Sequence, residues 1–280
     1  MKKISRVFIL IAMLLFVISC SSVPKDDSAA NTEVEDYAEL NAQALAQADA
    51  ARTAALSAGA KGLFSSEFEK ADSVYEELKK SLQDNPSGDK SAELSDVANR
   101  FKAMECLAES KQLREKIVEY NFVDVDEAEL KAGDDAVVKA SELLASKGTE
   151  AYDAAKLAKT SYVNVLNKGF MPLCEAQKAE ADSAKEQADS VKSAVAEKEK
   201  YAAISLIYDG ANTAYTEQAY EAAYEGFSKS TVMFNELFVV VSAKRAEAEA
   251  AIARAKEKVT ITENFAVEAD EIAPLQEEEE

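Results

Sequence analysis

Residues 217–258 decide the predicted fold, and they read EQAYEAAYEGFSKSTVMFNELFVVVSAKRAEAEAAIARAKEK. Apolar side chains recur along this stretch at spacings of three and four residues, as on one face of an α-helix. The stripe consists of Phe234, Phe238, Val241, Ala248, Ile252, Ala255 and Val259. Arg245 occupies one position of the same stripe. The pattern predicts a helix of roughly 40 residues that packs lengthwise against a second helix.

The preceding stretch, residues 172–214, supplies that second helix. Its narrow apolar seam has the same spacing and consists of Ala181, Ala184, Ala188, Val191, Val195 and Ala202. A turn is predicted near Tyr215 and Thr216. Two such helices joined by a short turn fold back on each other, so we expect a long antiparallel C-terminal hairpin of about 60 Å.

The rest of the chain also has helical periodicity. The 280 residues contain only eight Gly and four Pro, and Ala, a strong helix former, makes up much of the apolar fraction. Helices are predicted over residues 34–57, 67–82, 91–119, 127–145 and 149–167, with Ser66 and Glu69 as a capping box for the second and a turn at Gly169 and Pro172. The predicted fold is all-α, made of elongated antiparallel helical hairpins with coiled-coil-like packing.

The N-terminus has the order of a secretory signal. Lys2, Lys3 and Arg6 are followed by residues 7–18, none of which is polar. Twelve residues of helix reach only about 18 Å, against roughly 30 Å of membrane hydrocarbon. The segment is therefore predicted to be a cleaved signal rather than a permanent membrane span.

The end of this segment, Val17-Ile18-Ser19-Cys20, resembles the lipobox of bacterial lipoproteins. The resemblance implies cleavage before Cys20 and acylation of that residue, and Val17 and Ile18 make the box similar to those of spirochaete lipoproteins. An ordinary secretory signal that happens to contain a Cys is the alternative. The lipobox implies a cell-membrane or outer-membrane protein, anchored by lipid and facing the periplasm or the cell surface.

The sequence divides into five regions. They are a signal peptide (1–19), a lipid anchor with a flexible tether (20–33), an N-terminal helical hairpin region (34–120), a C-terminal helical region with the long hairpin (121–259) and an acidic disordered tail (260–280). The tail ends in four consecutive glutamates, a composition typical of disorder.

Charge limits the kinds of partner. The formal net charge is -20, and removal of the three basic residues before Cys20 makes it more negative still. Such a body is repelled by anionic lipid head groups and lacks the basic surface that phosphate contacts require. We therefore expect no nucleic-acid binding and membrane contact through acyl chains alone, with a protein of unknown identity as partner.

Catalytic chemistry has little support. The chain has no His, which excludes nucleophiles paired with His and zinc sites ligated by His. Carboxylate-only catalysis remains open without positive evidence, so the prediction is a protein that is not an enzyme and has no cofactor. Cys106 and Cys174 have two interpretations, a single disulfide or two small apolar residues on buried helix faces.

Acidic residues near the middle of the chain also have two interpretations. Asp124, Asp126 and Glu127 resemble the start of a calcium loop, but Glu129 stands where such a loop requires Gly. The alternative is an acidic helix start at Asp126. Asp134 and Asp135 are interpreted as solvated charges near a first helical turn.

Tyrosines form the most site-like feature. They cluster around the turn of the long hairpin and are Tyr201, Tyr208, Tyr215, Tyr220 and Tyr224. One interpretation is an aromatic groove for a ligand or partner. The other, which the helical spacing favours, is that the rings fill the interface between helices.

Two sets of small and aromatic residues resemble tetratricopeptide repeats in their offsets. The sets are Gly59, Phe68, Ala71 and Tyr75, and Ala211, Tyr220, Ala223 and Phe227. The resemblance covers two half-repeats without the 34-residue period of a tandem array. It implies protein or peptide binding. The predicted function is a lipid-anchored interaction or spacer module of the cell envelope, and the alternative is a ligand-binding accessory lipoprotein of a solute transport system.

Overall fold

The described part of the chain, residues 29–86 and 88–272 of a computed structural model, contains nine helices and no strand. The helices are α1 (Ala29–Ser57), α2 (Ala60–Leu63), α3 (Ser65–Asp84), α4 (Ser91–Glu119), α5 (Glu127–Leu143), α6 (Gly148–Ser190), α7 (Ser193–Ala196), α8 (Lys198–Thr216) and α9 (Tyr220–Ile272). The all-α prediction is confirmed. The signal segment and Cys20 lie outside the described residues.

The long helices lie side by side, and α6 is parallel to both of its long neighbours. The backbone N–H of Gly148 donates to Asp96, and Lys159 donates to Glu109, so positions advance together along α4 and α6. Helix α9 continues the series beyond α6, because Gln177 donates to Thr231 and the rings of Phe170 and Tyr224 are 6.0 Å apart. Helix α1 packs lengthwise on the other side of α4.

Shorter helices run back between the long ones. Within each pair of helices, the residue numbers of the bonded side chains rise on one helix as they fall on the other. The bonds are Arg52 to Asp72 and Tyr75 to Asp49 for α1 and α3; Lys168 to Asp126 and Tyr162 to Asp134 for α5 and α6; Tyr201 to Asp189 and Tyr208 to Asp182 for α6 and α8. Each long helix is therefore joined to the next by an antiparallel partner. The antiparallel hairpins predicted from the sequence are present.

The core combines small residues with a few large rings. Ala44, Ala48, Ala51 and Ala55 of α1 are buried, and they let α1 approach α4 closely. Five large apolar side chains of α4 are also buried, and the predicted bounds of that helix are confirmed. These are Leu94, Val97, Phe101, Met104 and Leu107.

Two of the first helix starts differ from the prediction. Helix α1 begins at Ala29, within the segment predicted to be a tether. Helix α3 begins at Ser65, and its N-cap is Phe64 without a side-chain hydrogen bond. The predicted capping box of Ser66 and Glu69 is thus wrong, because both residues already lie inside the helix.

The turn predicted at Gly169 and Pro172 is also wrong, since α6 passes through both residues without interruption. The physical reason is packing at Gly169. A Cβ at this residue would lie 2.4 Å from the ring of Phe122, so Gly is needed there for the close approach of an aromatic side chain and not for a turn. Pro172 is accommodated within the helix.

The single helix predicted over residues 172–214 is instead broken. Helix α6 ends at Ser190, Lys192 adopts a left-handed φ of 62°, and α8 starts at Lys198 after the short α7. Val195, predicted in the seam, is 82% exposed. The reversal lets the large side chain of Ile204 pack against Ala184 and Ala188. A straight seam made mainly of alanines offers less apolar area. The C-terminal hairpin is therefore formed by α8 and the first half of α9.

Helix α9 extends beyond everything that packs against it. Phe227, Phe234 and Val241 are buried, but every residue from 243 to 272 is exposed. The second half of the predicted seam is uncovered among the described residues; it comprises Ala248, Ile252, Ala255 and Val259. Residues 260–272, predicted to be disordered, are helical. They contain no Gly or Pro, and extending an existing helix is much easier than starting one. Residues 273–280 lie outside the described chain.

Candidate functional site

The tyrosines predicted as a site lie between α6, α8 and α9. The hydroxyl of Tyr201 donates to Asp189 at 2.5 Å, and that of Tyr208 donates to Asp182. The ring of Tyr201 is 5.6 Å from that of Phe234. Both rings therefore pack within the three-helix interface, and both hydroxyls already have an acceptor on α6.

The other three tyrosines lie around the turn between α8 and α9. The rings of Tyr215 and Tyr220 are 5.8 Å apart in an edge-on arrangement, and Tyr224 contacts Phe170 of α6. All five tyrosines are half-buried. Their positions fit the interpretation in which the rings fill helix interfaces, and the binding of a ligand or partner at this surface stays a prediction.

The described chain has several surface grooves. Tyr224 helps to line one of about 440 Å³ on α9, and two others involve none of the five tyrosines. One of about 300 Å³ lies between α8 and α9, where Ile204, Met233 and Leu237 contribute to its lining. The other, of about 410 Å³, lies between α5 and α6 beside Asp135 and Leu157. Neither was foreseen, because a groove depends on how two helices cross, and no residue pattern within one helix signals it.

A recurring Tyr-to-Asp hydrogen bond joins the antiparallel helices, and the sequence analysis missed it. Tyr75 of α3 donates to Asp49 of α1, and Tyr162 of α6 donates to Asp134 of α5 at 2.6 Å. The α6 and α8 pair has two such bonds. A buried phenol needs a hydrogen-bond partner, so each of these aspartates fixes the position of a ring in the core.

Asp134 is the centre of the most extensive of these contacts. It accepts a hydrogen bond from Tyr162 and one from Nε of Arg114 at 3.0 Å, and so links α4, α5 and α6. Burial acts to raise the pKa of Asp134, but the bonds from Tyr162 and Arg114 outweigh it and the pKa is lowered. Burial, followed by the bond to Asp134, raises the pKa of Tyr162. The interpretation of Asp134 as a solvated charge is incomplete, because its side chain is 46% exposed but its carboxylate is held by Arg114 and Tyr162.

Tyr162→Phe is expected to lower the free energy of unfolding at pH 7 by about 1–2 kcal/mol, because a charge-assisted hydrogen bond is lost. The folded-state pKa of Asp134 is below its unfolded value. The contribution of the ionised carboxylate is therefore present above the unfolded pKa of about 3.9 and is lost as the pH falls through the folded value. Urea unfolding from pH 7 to pH 2 measures both effects.

Asp134→Asn provides the matched control. In this background Tyr162→Phe should cost less at pH 7, and the remaining cost should not depend on pH. A difference between wild type and Tyr162→Phe that is the same at pH 2 and pH 7 would contradict the assignment.

Asp126 begins α5, as one of the two interpretations of the acidic segment predicts. Its Oδ1 accepts a hydrogen bond from the backbone N–H of Glu129 at 3.0 Å, and its other oxygen pairs with Lys168. The bond from Lys168 is the main cause of a lowered pKa at Asp126. Within the described residues no group of three or more His, Cys, Asp or Glu has the arrangement of a metal site.

Cys106 and Cys174 are both free and buried, in different core clusters. Burial raises the pKa of each thiol. They occupy their helices as small apolar residues, which is one of the two interpretations of the sequence. Among residues 29–86 and 88–272, no helix has the length and apolar character of a membrane span.

Comparison with known proteins identifies two similar chains. The chain is 25% identical to Treponemal membrane protein A of Treponema phagedenis over 280 residues, which cover 99% of this chain and 81% of that protein. It is 28% identical to Treponemal membrane protein A of Treponema pallidum (strain Nichols) over 183 residues, which cover 65% of this chain and 53% of that protein. No protein-family model and no solved structure matches. The chain is thus similar to two spirochaete proteins that are named as membrane proteins.

Proposed function

We propose that this protein is a lipid-anchored envelope protein whose helical body serves as an interaction or spacer module. The observation that carries the proposal is the sequence Val17-Ile18-Ser19-Cys20, which follows a basic and then an apolar segment. Cys20 becomes the acylated N-terminus, and the acyl chains hold the protein at the cell or outer membrane. The similarity to two proteins named as treponemal membrane proteins supports this location.

The arrangement of the helices supports an interaction role. Long helices lie side by side with shorter antiparallel helices between them, a layered geometry similar to that of tetratricopeptide-like hairpins. Phe68, Ala71 and Tyr75 are buried, as are Ala223 and Phe227, at offsets that match those repeats. Proteins built in this way present extended surfaces to other proteins.

The tyrosine interface favours a spacer or interaction module over a ligand-binding accessory of a transporter. The hydroxyls of Tyr201 and Tyr208 are engaged by Asp189 and Asp182, and the rings contact aromatic side chains of α9. A ligand in this position would have to displace these contacts. The proposed role is not enzymatic and requires no cofactor.

Cys20→Ala tests the anchor. In a bacterial host that processes lipoproteins, wild type should incorporate labelled palmitate and lose its signal peptide, whereas Cys20→Ala should remain an unlabelled precursor. Cys106→Ala is the matched control, because that thiol is buried in the fold, and it should be labelled like wild type. Labelling and processing that persist in Cys20→Ala would refute the anchor.

Crosslinking in the intact native envelope tests the interaction role. Wild type should form a defined adduct with an envelope protein, identifiable by mass spectrometry, and the adduct should disappear in Cys20→Ala because the unprocessed precursor does not gain its acyl anchor. If wild type gives no adduct, or the same adduct forms without the anchor, the proposed role at the membrane surface is wrong.

A further inference from the structure

The core-facing stripe of α9 continues far beyond the helices that cover it. Phe234, Leu237 and Val241 are buried against α6 and α8, and the same spacing of three and four residues continues through exposed positions. These are Arg245, which pairs with Glu249, followed by Ala248, Ile252, Ala255 and Val259. Ile252 and Val259 are each 55% exposed. An apolar stripe in line with a packed core is the pattern of a helix that has a partner along its whole length.

Charge along this uncovered extension, residues 243–272, is segregated. Residues 244–258 carry five basic and three acidic side chains, although the whole chain has a net charge of -20. Residues 260–272 carry four acidic side chains and no basic one, namely Glu263, Glu268, Asp270 and Glu271. The extension therefore has a basic half next to the body and an acidic half at the far end.

We propose that two copies of this chain associate through their extensions, as an antiparallel two-stranded coiled coil. Antiparallel pairing places the basic half of each extension against the acidic half of the other. Parallel pairing places like charges together, which is unfavourable. Because the extension carries opposite charges at its two ends, an antiparallel second copy matches its charges. We therefore take a second copy of this chain as the partner that covers the apolar stripe.

The spacing of the stripe sets the register. Pairing centred on Glu257 brings four pairs of positions together: 245 with 269, 248 with 266, 252 with 262, and 255 with 259. The residues in these layers are small or apolar apart from Arg245 and Thr262. The extension of 30 residues is about 45 Å long. Every residue of the extension is exposed, and pairing covers the stripe without requiring any change in helix content.

Native mass spectrometry of the full-length protein released from detergent tests the association. Wild type should be a dimer, and the double variant Ile252→Asp, Val259→Asp should be a monomer. The double variant Ala246→Asp, Ala253→Asp is the matched control. It adds the same charges at exposed positions on the opposite side of the helix and should remain dimeric. Circular dichroism should show equal helix content in wild type and both variants.

Cysteine crosslinking tests the orientation. Ala248→Cys and Ala266→Cys, each on the otherwise unchanged chain, should form a disulfide-linked dimer when the two variants are mixed and oxidised. Each variant alone should not, because its two cysteines are about 27 Å apart along an antiparallel pair. Wild type controls for Cys106 and Cys174, which are buried.

Three outcomes would overturn the proposal. The first is a monomeric wild type. The second is efficient crosslinking of Ala248→Cys with itself, which indicates a parallel pair. The third is a wild type that binds a different protein through the extension in place of a second copy. Because these readouts do not depend on Cys20, failure of the dimer is distinguishable from failure of the lipid anchor.

Discussion

Phe170→Ala is expected to lower the free energy of unfolding by about 3–5 kcal/mol, the range for truncation of a buried Phe. The side chain of Phe170 is fully buried. Its ring is 4.7 Å from that of Tyr120, 5.1 Å from that of Phe122 and 6.0 Å from that of Tyr224. These rings come from the end of α4, the following loop and α9, so truncation leaves a cavity where several parts of the fold meet.

Urea or guanidinium unfolding followed by circular dichroism measures this loss. Leu206→Ala is the control, because Leu206 is 75% exposed on α8 and its truncation should change the free energy of unfolding by no more than about 0.5 kcal/mol. A Phe170→Ala protein as stable as Leu206→Ala would show that the aromatic contacts between α4, α6 and α9 are not part of the stable core.

The sequence predicted helix α4 to the residue because its signals agree. Its apolar spacing is regular, the turn-forming residues Asn85 and Pro86 precede it, and residues 120–126, which lack helical periodicity, follow it. The narrow alanine-rich seam of residues 172–214 was harder to interpret. An alanine stripe fits a continuous helix as well as a broken one, and the break at Lys192 depends on what α8 gains by packing against α6.

The candidate site, too, was predictable from the sequence only in part. Clustering of the tyrosines was predictable, because residues seven apart share one face of a helix. Their hydrogen bonds to Asp182 and Asp189 were not, since the acceptors lie on another helix whose position depends on the reversal at residues 191–197. Asp134 was assigned to solvent for a related reason. Only the tertiary fold brings Arg114 and Tyr162 to its carboxylate.

Gly169→Ala and Gly210→Ala are expected to change stability in opposite directions, although both lie inside helices. Ala is favoured over Gly in a helix by about 1 kcal/mol. At Gly210 a Cβ meets no atom within 4 Å, so that variant should gain this amount. At Gly169 the Cβ would lie 2.4–2.6 Å from three atoms of the Phe122 ring, which Phe170 and Tyr120 hold in place.

Relieving this clash requires the ring of Phe122 to move as a whole, and overpacking of this kind costs about 1–3 kcal/mol. The steric cost should exceed the gain in helix propensity, so Gly169→Ala should be less stable than wild type. The double variant Gly169→Ala, Phe122→Leu should tolerate the added methyl group better than wild type does, because a smaller side chain faces it. Denaturant midpoints of wild type, the two glycine variants, the double variant and Phe122→Leu alone measure these differences. Equal stabilisation by Ala at both glycines would mean that α6 does not approach Phe122 as closely as described.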